Sequence, residues 1–79
     1  MPPMTAAAAE EWKQLFSAWQ DRHTRAFNAT RELVGEVDLH IVGVGIGING
    51  GKIDFVEQLV KDELAALSAL LAHSRKFAD

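Results

Sequence analysis

Residues 39–51, LHIVGVGIGINGG, constrain this chain's fold more than any other stretch. From Leu39 to Ile48 the residues alternate with period two, the repeat of a β-strand, whose successive side chains point to opposite faces. One face would carry His40, Val42, Val44, Ile46 and Ile48, and the other Leu39, Ile41, Gly43, Gly45 and Gly47. Branched aliphatics favour the extended state, whereas glycine weakens it through backbone entropy. Glycines confined to one face therefore imply a close approach to the backbone by a packed helix, another chain or a flat ligand. A glycine-softened hairpin strand with nothing against it is the plainer alternative.

Asn49-Gly50 suits a type I′ turn, in which both central residues need positive φ. Residues 44–48 would then fold back on 51–55, and Asp54 with Glu57 would open the next helix. The outer part of the long arm, residues 37–42, would be an unpaired edge unless it is covered or paired with another copy. Val42, Val44, Ile46 and Ile48 are accordingly the expected self-pairing residues. Gly43, Gly45 and Gly47 are the expected close-approach or ligand face.

The segments on either side read as helices. Thr5 can cap the first, which is expected to run over residues 5–34 and stop with Gly35 at its C-terminus. Trp12, Phe16, Trp19, His23, Ala26, Thr30 and Leu33 recur at alternating spacings of four and three, and Leu15, Phe27 and Val34 widen that stripe. Such a repeat marks a helix lying along a second helix. The second helix, expected over residues 54–77, carries apolar residues around about half its circumference, more than one helical contact needs. Trp12, Phe16, Trp19, Leu59, Leu67 and Leu70 are the expected helical core, since aromatic and leucine side chains dominate buried area. His23 and Glu63 each fall inside an apolar stripe. They are expected to meet, in the helical core or across an interface, as a buried polar pair that sets register rather than performing chemistry.

Catalytic and cofactor signatures are missing from the pattern. Gly45-x-Gly47-x-x-Gly50 matches a dinucleotide fingerprint in letters, but the helix that follows leads to no second strand to complete a βαβ unit. Gly50-Gly51-Lys52 is followed by Ile53, which fails the P-loop pattern. His23, His40 and His73 lack the spacing of a zinc helix, and no serine lies in a nucleophile elbow. No enzyme activity, metal or cofactor is expected.

Composition bounds the rest. With 79 residues and no cysteine, the chain is one small domain without disulfides, and self-association is its natural route to stability. A net charge of −3 with interspersed signs argues against a nucleic-acid partner. The N-terminal residues lack the pattern of a secretory signal, and no apolar run reaches the ~20 residues of a membrane span, so a cytoplasmic location is expected. An alanine- and acid-rich chain without cysteine or tyrosine suggests a bacterial or phage origin. The order helix–hairpin–helix also resembles that of small phage head–tail joining proteins.

The expectation is thus a mainly α fold with a small β element (α+β): helix, strand or hairpin over residues 37–53, helix. The helices would pack antiparallel and the β element would pair across subunits. Functionally the chain reads as a non-enzymatic adaptor that acts as a homo-oligomer and binds another protein. A lipid- or granule-surface helix protein is the first alternative, though the polar faces are not basic enough for an interfacial helix. A nucleotide-like ligand binder using the glycine-rich strand is the second.

Overall fold

The computed structural model describes residues 4–45 and 47–78. Its regular structure is two helices, α1 (Ala6–Ile41) and α2 (Gly50–Arg75). Thr5 caps α1 from an extended backbone, its side chain accepting the Ala8 N–H at 3.0 Å. The helix does not stop at Gly35. It continues to Ile41 and ends in a Schellman motif centred on Gly43: the Gly43 N–H donates to the His40 carbonyl at 3.1 Å, and the Val44 N–H donates to the Leu39 carbonyl at 2.8 Å. Gly43 sits at φ +81°, the left-handed conformation that this cap requires.

Among the described residues there is no strand, so the α+β fold, the hairpin over residues 37–53 and β pairing between copies are all overturned. The physical reason lies at both ends of the stretch. Glycine inside a helix costs only about 1 kcal/mol relative to alanine. Past Gly35, Glu36 and Val37 stay half-buried along the helical contact, so packing carries α1 through that cost. The glycines also turn the chain instead of flattening it. Gly43, Gly45 and Gly47 all have positive φ, at +81°, +94° and +106°, which a regular strand cannot accommodate. Asn49-Gly50 is a helix start and not a type I′ turn: the Asn49 side chain caps α2 by accepting the Gly51 N–H at 2.8 Å. Asp54 lies inside α2. Without a hairpin, the likeness in element order to phage joining proteins no longer applies.

The helices run antiparallel. Glu11 faces His73, Trp12 faces Ser74, His23 faces Glu63, and Glu36 faces Lys52. The result is a rod of 58 × 19 × 17 Å with a radius of gyration of 17.8 Å. A compact domain of this length would have about 12 Å. Among the described residues, the only buried apolar side chains are Ala26 and Leu70, joined by His73. No helix is long and apolar enough among the described residues to cross a membrane.

Candidate interaction surface

The helix–helix seam is apolar, with polar bonds at intervals. Trp12, Phe16, Trp19, Leu59 and Leu67 are half-buried along it, and Leu70 is buried. Trp12 Nε1 donates to Ser74 Oγ at 2.9 Å, and the Ser74 hydroxyl donates to the Leu70 carbonyl at 2.8 Å. His23 Nδ1 and Glu63 Oε2 lie 3.1 Å apart, so the two residues meet. Their side chains are 47% and 20% exposed, which places the pair at the edge of the seam and not in a buried core. His73 is buried with Nε2 3.5 Å from Glu11 Oε2, and its Nδ1 has no hydrogen-bond partner among the described residues.

The two sides of the hairpin differ in character. Phe27 and Val34 follow the seam residues Ala26 and Leu33 by one position, and Val60, Leu64 and Leu71 follow Leu59, Glu63 and Leu70 in the same way. In two right-handed helices running antiparallel, one step forward from the seam leads to the same side of both. These five residues therefore share one face, where they are 37–60% exposed. Aromatic rings run alongside: Trp12 on Phe16 (5.3 Å between centroids), Phe16 on Trp19 (5.8 Å), Trp19 on His23 (5.1 Å) and His23 on Phe27 (6.2 Å). One step backward from the seam lie Ala18, Arg25, Asp62 and Ala69, and these line a shared open groove on the opposite face. That face is small-residue and charged, with Asp21 and Arg25 paired at 3.5 Å.

The loop end is a third region. Ile41, Val42, Val44, Ile48 and Phe55 are all exposed there, whereas Ile46 lies outside the described residues. Nothing lies within 4 Å of a Cβ built at Gly43, and at Gly45 and Gly47 the nearest atoms are at 3.7 and 4.0 Å. Among the described residues no neighbour crowds these glycines, and all three have positive φ. A cleft beside the loop is lined by Glu36, Leu39, Gly45, Gly47, Asn49 and Lys52. The Lys52 ammonium bonds Glu36 and lies 3.7 Å from Glu32. Its hydrogen bond to Glu36 is the chief reason its pKa is raised above the usual lysine value. Among the described residues no group of three or more His, Cys, Asp or Glu could hold a metal ion.

From the sequence, Phe27 and Val34 are expected only to widen the first stripe, and Leu64 and Leu71 to lie within a broad second-helix face able to contact a second object; that the four share one side of the hairpin does not follow from it. Their signal was present as excess width in both apolar stripes. Which side of the hairpin each would occupy depends on the register of the two helices, which the stripes alone do not specify. Geometrically the chain is a two-helix hairpin with one uncovered apolar face. No protein-family model, curated protein or solved structure matches it.

Proposed function

We propose that this protein is a non-enzymatic interaction module of the cytoplasm that acts as a homo-oligomer and binds another macromolecule. The observation that supports this reading is surface area. The chain exposes 5866 Å², whereas a folded monomer of its 8.7 kDa mass exposes about 4,700 Å². The excess, roughly 1,100 Å², is comparable to the ~800 Å² that each partner contributes to a standard protein interface. A two-helix hairpin with so few buried apolar side chains needs that surface covered. Self-association belongs to the helices in this reading, because no strand is present among the described residues. Size-exclusion chromatography with light scattering tests it: a mass above that of one chain is expected, and a monomer of 8.7 kDa would overturn it.

A second reading has its own observation. The apolar loop end, with Ile41, Val42, Val44, Ile48 and Phe55 exposed at one tip of a long rod, suits insertion into a lipid surface. Co-flotation with liposomes, lost in Val44→Lys, would favour it over the adaptor.

A further inference from the structure

Resting on the homo-oligomer reading, we infer that the apolar face is covered by the same face of a second copy, giving a four-helix bundle. Each helix carries two adjacent heptad seams. On α1 the first seam (Trp12, Phe16, Trp19, His23, Ala26, Thr30, Leu33) faces α2, and beside it the exposed Phe27, Val34 and Ile41 recur every seven residues, alternating with the half-buried Thr30 and Val37, which both seams share. On α2 a matching series, Val60, Leu64, Leu67 and Leu71, lies outside the intramolecular contact except at Leu67. A helix in a two-helix hairpin needs one such seam, while a helix in a four-helix bundle touches two neighbours and needs two. The spacing identifies the occupant as helical.

The second copy satisfies the remaining terms. Both helices present their second seam to the same side, so a two-fold operation brings like face to like face, as isologous association requires. The chain's excess surface over a compact monomer of its mass is of the size that one protomer loses in a stable dimer. The opposite face, with Arg25, Glu32 and Asp62, has the charged character of a bundle exterior. His23 and Glu63 sit at the edge of the covered face, already paired, so covering them buries no unpaired group.

The test uses light scattering and sedimentation on the full chain, comparing wild type with Leu64→Glu and Phe27→Glu on the apolar face, Ala69→Glu on the opposite face and Val44→Lys at the loop. Wild type is expected as a dimer. Each apolar-face variant should raise the dissociation constant by about a hundred-fold or more, the effect of losing a central contact. Ala69→Glu and Val44→Lys should leave it within a few-fold. A wild-type monomer overturns both this inference and the reading it rests on. A wild-type oligomer that withstands the apolar-face charges but is dissolved by Ala69→Glu or Val44→Lys overturns the face assignment alone. Because a glutamate can unfold a chain that folds only as a dimer, a second measurement uses the absence of native cysteine. Leu71→Cys should cross-link two copies with a short bis-maleimide, and Asp62→Cys should not. The reverse pattern rejects the face.

Discussion

Trp12 and Ser74, 62 positions apart in the chain, are joined by an indole-to-hydroxyl hydrogen bond of 2.9 Å across the open end of the hairpin. The hydroxyl is engaged at both sides, because it also donates to the Leu70 carbonyl one turn earlier. The bond fixes the register of the helices where no covalent connection holds them.

Ser74→Ala should therefore leave the indole N–H part-buried without its acceptor and lower stability by about 1–2 kcal/mol. Trp12→Phe removes the donor instead. In a double-mutant cycle followed by thermal denaturation, the two changes should be less than additive. Strict additivity would show that the bond contributes nothing.

The His23–Glu63 contact should couple weakly. At 47% and 20% exposure the pair is largely in water, and such pairs give about 0.2–1 kcal/mol. A cycle of His23→Gln and Glu63→Gln measures the coupling. A value above that range at protein concentrations where the chain is monomeric would mean that the pair is enclosed within a single hairpin.

Gly35 and Gly43 should respond to alanine in opposite directions. Gly35 lies inside α1 with open space where a Cβ would stand, so Gly35→Ala should stabilise the protein by roughly 0.5–1 kcal/mol. Gly43 at φ +81° holds the helix cap, so Gly43→Ala should destabilise by about 1–2 kcal/mol. Helix content and melting temperature by circular dichroism check both. A destabilising Gly35→Ala would return the helix end to residue 35.

Lys52 should give stability that fades in alkali. Its pKa in the folded chain lies above the usual lysine value, chiefly through the hydrogen bond to Glu36, with partial desolvation opposing and the charges of Glu36 and Glu32 adding. A raised folded value means that the contribution is fully present below the unfolded pKa and is lost as pH rises through the folded one. Lys52→Met should therefore melt slightly below wild type at neutral pH, and the gap should close above the lysine pKa. A gap independent of pH would assign the effect to the aliphatic stem.

The two helices, the Thr5 cap and the main seam were legible in the sequence, because each depends on local chemistry or on spacing along a single helix. Trp12, Trp19 and Leu70 fall where the alternation of three and four places them, and His23 and Glu63 can be matched from their stranded positions alone. The central stretch misled because alternation of glycine with valine and isoleucine has the period of a strand whatever the backbone does. One local signal could have separated the two candidate helix ends. Gly43 is flanked by Leu39 and Val44, the apolar pair that accompanies a Schellman cap, while Gly35 has Arg31 and Glu36 at the same positions.

What the sequence determined by itself is therefore helix identity, capping chemistry and the existence of surplus apolar width, all set within a few turns of chain. Tertiary structure alone decided that α1 continues through Gly35 and that the surplus residues of both helices gather on one side. The reason is physical. The penalty for a helical glycine is small enough to be outweighed by packing along the neighbouring helix, and only the antiparallel register determines which side of the hairpin each exposed leucine, valine and phenylalanine will occupy.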